Sequence, residues 1–230
     1  MNRGWRKGLT RIVFSIALCA LPADSMAQAN RVSPADVARI EAELDGFAAN
    51  PTSPDDRFAV VCLREAIAAS REGSGGIGAC LVRETTGEIV ERGHNRQYSP
   101  HFRSDLHAEM DLLDRYEDRL RILKPGPGET GNPRRMYEGL ALYSSIEPCP
   151  MCMTRIINTG IKRVLFAAPD PLGGMTSQLA LLPPFWREMS GGTVFGAARC
   201  NARLTEMAQA LFGSYANRGY KGPPASNGQK

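Results

Sequence analysis

Helix caps and apolar periodicity alternate along the chain with short apolar runs, and this alternation predicts helices and strands in turn. Helices are predicted over residues 34–46, 55–71, 105–116, 150–159 and 201–215. Strands are predicted over residues 77–82, 88–92, 139–146, 161–167 and 193–195. Residues 177–189 have a mixed pattern that favours neither element. The order of these elements predicts an α/β sandwich around a mixed sheet.

Local signals place the boundaries of several elements. Ser33-Pro34 is typical of an N-cap followed by the first helical position, and Gly160 predicts the end of the helix before it. Thr86-Gly87 lies between two predicted strands and indicates a β-hairpin. Asp105 is a candidate N-cap for the third helix. Lys124 to Glu138 is rich in Gly and Pro, which predicts a surface loop.

The first 29 residues have the pattern of a secretory signal peptide. A basic start precedes a short apolar run over Ile12 to Leu21, and Ala27-Gln28-Ala29 offers a cleavage site with small residues. This run is far shorter than the ~20 residues that cross a bilayer as a helix. We therefore expect cleavage, no stable membrane span in the mature protein, and a periplasmic or secreted location. An uncleaved amphipathic start is the alternative.

The charge of the chain bears on its partners. The formal net charge is +4, and cleavage would remove four basic residues and one acidic residue, which leaves +1. A near-neutral surface does not support avid binding to a polyphosphate, although it leaves room for a local basic patch. Nucleic acid is therefore a possible partner but not the favoured one.

Two short motifs carry the chemistry, His107-Ala108-Glu109 and Pro148-Cys149-Pro150-Met151-Cys152. A catalytic zinc ion usually has three protein ligands and keeps its fourth position for water. His107, Cys149 and Cys152 supply three ligands of the types that zinc prefers. Glu109 lies two residues past the histidine, so it is free to hydrogen-bond the water and to move protons. This combination is the known signature of zinc deaminases, which release ammonia from a base.

The remaining cysteines of the mature chain need a separate interpretation. Cys62 lies on a predicted helix and Cys80 in a predicted core strand, so we expect them and Cys200 to be buried, inert thiols. In an oxidising compartment, one disulfide and one free thiol is the alternative. An isolated Cys-x-x-Cys would itself more often be a disulfide or a redox pair, and only its combination with His-Ala-Glu favours zinc.

The motifs resemble those of the cytidine deaminase-like superfamily (the CMP/dCMP deaminase zinc-binding family), particularly its guanine deaminase and tRNA adenosine deaminase branch. Glu147 to Cys152 resembles the guanine deaminase form of the cysteine motif. Gly93-His94-Asn95 resembles the Gly-x-Asn that ends the second strand of that family. Arg163 to Ala167 and Asp170 resemble the stretch after its metal helix. The likeness extends from about residue 57 to residue 174.

The resemblance implies a three-layer α/β/α sandwich around a mixed five-stranded sheet. It implies that His107, Cys149 and Cys152 bind Zn²⁺, that Glu109 shuttles protons, and that Asn95 holds the base. It also implies a homodimer. The domain organisation that follows is a signal peptide at 1–29, an N-terminal helical extension at 30–53, a zinc-dependent deaminase domain at 54–216 and a flexible tail at 217–230.

Asn95 has a simpler alternative, since Gly-x-Asn after a strand is often a turn that tolerates positive φ. His94 and His101 are expected to be loop or supporting residues and not additional ligands. Phe212 and Tyr215, on the last predicted helix, could close over a flat base by stacking or could pack in the core.

The sequence favours an exported zinc hydrolase that deaminates a small-molecule base or nucleoside, guanine-like purines first. A deaminase acting on RNA or single-stranded DNA bases is the second enzyme hypothesis. A catalytically inactive zinc-binding protein of the same fold is a third, which Glu109 weakens because a structural site does not use such a carboxylate. Disulfide exchange by the two thiols is the weakest hypothesis.

Overall fold

The computed structural model describes residues 32–123 and 133–213, so the predicted signal peptide, most of the 124–138 loop and the predicted tail lie outside the described residues. The helices are α1 (Pro34–Asp45), α2 (Asp56–Arg71), α3 (Ala108–Leu123), α4 (Pro150–Thr159), α5 (Pro184–Met189) and α6 (Ala202–Phe212). The strands are β1 (Gly78–Arg83), β2 (Ile89–His94), β3 (Leu140–Ile146), β4 (Arg163–Ala168) and β5 (Val194–Ala197).

The strands form one mixed five-stranded sheet in the order β2-β1-β3-β4-β5. The hairpin partner β2 and the central strand β3 both run antiparallel to β1. The pairs β3–β4 and β4–β5 are parallel. The predicted hairpin and the mixed sheet are confirmed, and the strand predicted over residues 139–146 is the central one.

Helices cover both faces of the sheet because its strands are apolar on both sides. On one face α1, α2 and α6 pack together against the ends of β3 and β4, and Cys80 and Val82 of β1 contact α2. On the other face Ala79 and Leu81 of the same strand pack with α3 and α4. Alternation along β1 therefore separates two cores. The three-layer α/β/α sandwich is confirmed.

Local capping chemistry explains where several helices begin and end. The Ser33 hydroxyl accepts a hydrogen bond from the backbone N–H of Asp36 at 3.1 Å, and Pro34 starts α1. Gly160 ends α4 with a φ of 81°, a left-handed conformation that glycine adopts without steric cost. Both boundaries agree with the sequence prediction.

The predicted Asp105 cap is wrong. The Asp105 carboxylate is held by the Arg103 guanidinium, with Nε and Nη2 donating at 2.8 and 2.7 Å. Helix α3 begins at Ala108, and the carbonyl of His107 accepts its first hydrogen bond, from Asp111 N at 2.9 Å. The neighbouring guanidinium thus engages the carboxylate that would have capped the helix.

Two other segments differ from the sequence pattern. Part of the predicted surface loop, Pro133–Tyr137, is a 3₁₀ helix whose last side chain is buried and donates to Glu117 at 2.6 Å. The mixed segment divides into a 3₁₀ helix over Thr176–Leu181 and the short helix α5. Helix α6 also ends earlier than the predicted residue 215. It ends at Phe212, before Gly213, which has a φ of 79°.

Cys62 and Cys80 are fully buried free thiols whose sulfur atoms lie 3.7 Å apart, and Cys200 is half-buried and also free. Burial raises the pKa of the Cys62 thiol well above its usual value. Cys62 and Cys80 agree with the expectation of buried, inert thiols, whereas Cys200 is less buried than expected. Among the described residues, no helix is both long enough and apolar enough to cross a membrane.

Gly93 is a position where the fold requires glycine, because β2 passes very close to α3. A Cβ at Gly93 would lie 2.5 Å from the backbone N of Leu112 and 2.6 Å from its Cα. We predict that Gly93→Ala lowers the free energy of unfolding by about 1–3 kcal/mol, since backbone atoms have to move. Gly196→Ala is the control, because a Cβ there meets no atom within 4 Å. Equal unfolding free energies for the two variants in urea titrations would contradict this packing constraint.

Candidate active site

Three ligands of the types that zinc prefers meet where two helices begin. His107 immediately precedes α3, Cys149 is the N-cap residue of α4, and Cys152 lies in the first turn of α4. Pro150 occupies the first helical position, and Cys149 is extended, so the chain leaves β3 and turns directly into the helix. The structure therefore brings together the three residues that the sequence predicted as ligands.

The separation of the donor atoms fits a zinc ion. The nearest ligand atoms of His107, Cys149 and Cys152 all lie within 4.8 Å of one another, and Cys149 Sγ is 3.6 Å from His107 Nδ1. Zinc bonds of about 2.3 Å to sulfur and 2.0–2.1 Å to nitrogen, at a tetrahedral angle, would place those two atoms about 3.6 Å apart. The donor set and its spacing both suit zinc.

The electrostatics of the cluster favour a thiolate ligand. The Cys152 thiol donates to Cys149, and together with His107 it lowers the pKa of Cys149 to about 4. The same hydrogen bond raises the pKa of Cys152 well above its usual value. The contact with Cys149 raises the pKa of His107. One negative charge is thus already stabilised where a cation would bind.

Glu109 lies in the first turn of α3, beside the three ligands, and its side chain is almost fully buried. Burial is the main cause that raises the pKa of its carboxyl group, and the neighbouring Cys149 adds to the effect. The Ser144 hydroxyl donates to Glu109 Oε1 at 2.9 Å. A carboxyl group with a raised pKa and one engaged oxygen is suited to accept and return a proton.

A cavity of about 350 Å³ opens onto the cluster, and His107, Cys149, Glu109 and Asn95 all line it. Asn95 is 3% exposed, and its Oδ1 accepts from Gln97 N at 2.9 Å. That bond fixes the side chain and leaves the amide nitrogen to donate to a ligand. The alternative interpretation of Asn95 was a turn residue with a positive φ. Its side chain does accept from Gln97 N, as in a turn, but no described residue other than glycine has a positive φ.

The wall of the cavity includes a loop that the sequence did not reveal as functional. The buried Glu147 carboxylate accepts from Asp170 N at 3.1 Å, Thr176 N at 2.9 Å and Ser177 N at 3.3 Å, and from the Thr176 hydroxyl. Gly174 approaches so closely that a Cβ would lie 2.3 Å from the Cδ of Glu147. The available signal was an acidic residue directly after a mostly apolar predicted strand, where a buried charge needs donors.

Of the other candidate residues, only Phe212 lines the cavity within the described part of the chain. Phe212, which is half-buried, lines it together with Leu211, whereas Tyr215 lies outside the described residues. His94 is not a ligand, since its Nδ1 bonds Glu65 Oε2 at 2.9 Å and its Nε2 lies 3.2 Å from Glu72 Oε2. His101 is exposed on the loop between β2 and α3, away from the ligand cluster.

The chain is similar to a known protein family and to several known proteins. Residues 52–168 match the family model described as the cytidine and deoxycytidylate deaminase zinc-binding region. A tRNA-specific adenosine deaminase of Bacillus subtilis is 34% identical over 125 residues, which are 54% of this chain and 68% of the relative. A cytosine deaminase of Candida albicans is 31% identical over 114 residues, 50% of this chain and 66% of the relative. A solved guanine deaminase from Nitrosomonas europaea superposes with a TM-score of 0.49 at 18% identity, over 78% of this chain and 92% of that chain.

The ligand cluster predicts the metal content of single variants. We expect Cys152→Ala to lose nearly all of the roughly one zinc per chain that three ligands hold in the wild type. Cys200→Ala is the matched control, because this thiol lies outside the cluster. Elemental analysis by mass spectrometry measures both. Full zinc content in Cys152→Ala would show that the metal is held elsewhere.

His94 predicts a pH dependence of stability. Hydrogen bonding to Glu65, with a smaller effect of Glu72, raises the pKa of His94. The charged form therefore stabilises the fold fully below the unfolded pKa of about 6.5, and this contribution is lost as pH rises through the folded pKa. In urea titrations, wild type should exceed His94→Gln in unfolding free energy by more at about pH 5.5 than at about pH 8.5. A difference that grows with pH would contradict the role of this ion pair.

Proposed function

Because the chain belongs to the cytidine and deoxycytidylate deaminase zinc-binding family, we propose that it deaminates a free nucleobase or nucleoside, guanine-like purines first, by hydrolysis. Membership of this family confirms the predicted superfamily, the zinc cofactor and the hydrolytic deaminase class. The choice of substrate is the further step. The guanine deaminase form of Glu147 to Cys152 supports it.

One observation carries the proposal: the buried Glu109 lines the same cavity as two of the three ligands, His107 and Cys149. A structural zinc site is usually closed by four protein ligands. Here the histidine and two cysteines leave a position open toward the cavity, and an ionisable group lies next to it. That arrangement suits catalysis on a small molecule that enters the cavity.

Different residues of the chain would bind the metal and transfer the protons. His107, Cys149 and Cys152 would hold zinc, which when bound acts as a Lewis acid that lowers the pKa of water. Glu109 accepts one proton from the attacking water and delivers it to the ring nitrogen. It then takes the second proton from the added hydroxyl group and delivers it to the departing amine. The carbon–nitrogen bond to the amino group breaks, a carbon–oxygen bond replaces it, and ammonia leaves.

Asn95 and the cavity walls would orient the base. The amide oxygen of Asn95 is engaged by Gln97, so its amide nitrogen is the group that can donate to an acceptor on the ring. A cavity of about 350 Å³ is at the small end of ligand pockets, which suits a base or a nucleoside. Phe212 at the rim supplies an aromatic surface next to this site.

A deaminase acting on RNA or single-stranded DNA is the second candidate function. The relative in Bacillus subtilis, named a tRNA-specific adenosine deaminase, favours it at 34% identity. The near-neutral charge of the predicted mature chain favours a small substrate instead, since polynucleotide binding depends on cationic contacts to phosphates. A catalytically inactive zinc protein would leave the buried Glu109 without a role.

The location and assembly are also proposals. We infer export outside the cytoplasm from the basic start, the apolar run and the Ala27-Gln28-Ala29 site. A mature N-terminus at Asn30, found by mass spectrometry of the exported protein, would support this location. We also propose a homodimer from the family resemblance, and light scattering of the purified protein would measure its mass.

We predict ammonia release in a screen of guanine, adenine, cytosine, their nucleosides and short single strands, with guanine or guanosine fastest. Glu109→Gln should keep its zinc and lose activity by about 100- to 10,000-fold, because the proton carrier is removed. Asp118→Asn, which changes an exposed carboxylate on the same helix, is the matched control and should retain wild-type rates.

The outcomes separate the candidate functions. Activity only on single strands would favour the polynucleotide deaminase. Wild-type activity in Glu109→Gln would refute the proton-transfer role. A zinc-loaded wild type that releases no ammonia from any of these substrates would support the inactive zinc protein.

A further inference from the structure

Two adjacent serines lie buried in the central strand of the sheet. Ser144 and Ser145 of β3 are 1% and 0% exposed. A buried hydroxyl group is costly unless it has a hydrogen-bond partner. Successive side chains of a strand point to opposite faces, so the two hydroxyls meet different partners. This difference separates their roles.

The Ser145 hydroxyl has a backbone partner. It accepts from Gly78 N at 3.1 Å and so links the start of β1 to β3. The Ser144 hydroxyl instead donates to Oε1 of Glu109 at 2.9 Å. One serine therefore joins two strands, and the other joins the sheet to the carboxylate that lines the cavity.

Ser144 is a rigid support because β3 is held on both sides. Its Cα lies opposite Ala79 of β1 and Phe166 of β4. The last torsion of a glutamate side chain is broad, so a hydrogen bond from a rigid strand restricts the rotation of the Glu109 carboxylate. The hydrogen bond from Ser144 engages Oε1 and fixes the carboxylate from the side of the sheet.

We propose that Ser144 is a positioning residue that holds the Glu109 carboxylate in the orientation needed for proton transfer. The inference rests on the proposed function, since it concerns the same site. Ser144 does not line the cavity and acts only through Glu109. Misplacement of a reacting group by about 1 Å can cost about 100-fold in rate, so loss of this bond affects turnover more than binding.

The test compares Ser144→Ala, Ser144→Thr and Ser145→Ala. The measurements are kcat and KM with the base that wild type deaminates fastest, guanine in the first instance, together with zinc content and melting temperature. Ser144→Ala should lower kcat about 10- to 100-fold with KM and zinc content unchanged. Ser144→Thr should restore most of kcat, because it returns the hydroxyl.

Ser145→Ala is the matched control, since it removes an equally buried hydroxyl from the same strand. It should lower the melting temperature, because Gly78 N loses its acceptor, and leave kcat within about twofold of wild type. A crystal structure of Ser144→Ala gives a readout independent of activity. The Glu109 carboxylate should be rotated or displaced there, with the rest of the site unchanged.

Three results would overturn the inference. They are wild-type kcat in Ser144→Ala, an equal loss of kcat in Ser144→Ala and Ser145→Ala, and a Ser144→Ala variant that fails to fold or to bind zinc. Each would assign Ser144 a structural role or none. The proposed function fails differently, when the wild type itself releases no ammonia.

Discussion

The structure depends on one constraint: two helices that are 42 residues apart must begin at the same point, so that three donor atoms lie within 4.8 Å of one another. Both helices pack on the same face of the sheet. The contact of α3 with β2 is so tight that only glycine fits at Gly93. The proline that starts α4 turns the chain directly after β3. Packing of the two helices on the sheet therefore sets the relative positions of the three ligands.

Two buried carboxylates at this edge of the sheet, Glu147 and Glu109, have different hydrogen-bond partners. The difference suits them to different roles. Glu147 accepts hydrogen bonds from three backbone N–H groups and a hydroxyl of one loop, which ties up both of its oxygens. Glu109 accepts a hydrogen bond on Oε1, and burial raises its pKa. A carboxylate satisfied by many backbone donors stabilises a fixed loop, whereas a buried carboxyl group with a raised pKa beside a metal site can exchange protons. Glu147 thus shapes the cavity, and Glu109 is the group suited to chemistry within it.

The sequence predicted the fold because its signals are local, and it predicted the ligand cluster because two short motifs together match a known zinc signature. The hairpin at Thr86-Gly87 and the helix end at Gly160 follow from short-range chemistry. The Asp105 cap was wrong because Arg103, two residues away, binds its carboxylate, and the helix begins only at Ala108. Ser144 and the Glu147 loop were missed because their partners lie 35 and 23–30 residues away along the chain. Only the packed sheet brings those pairs together.

The most direct test of this account is X-ray absorption spectroscopy at the zinc edge of the purified wild-type protein. The account predicts two sulfur ligands at about 2.3 Å and light-atom ligands, one of them an imidazole nitrogen, at about 2.0–2.1 Å. Such a spectrum would match the Cys149, Cys152 and His107 cluster with one position left open to the cavity. Four sulfur ligands, or a shell without sulfur, would contradict it.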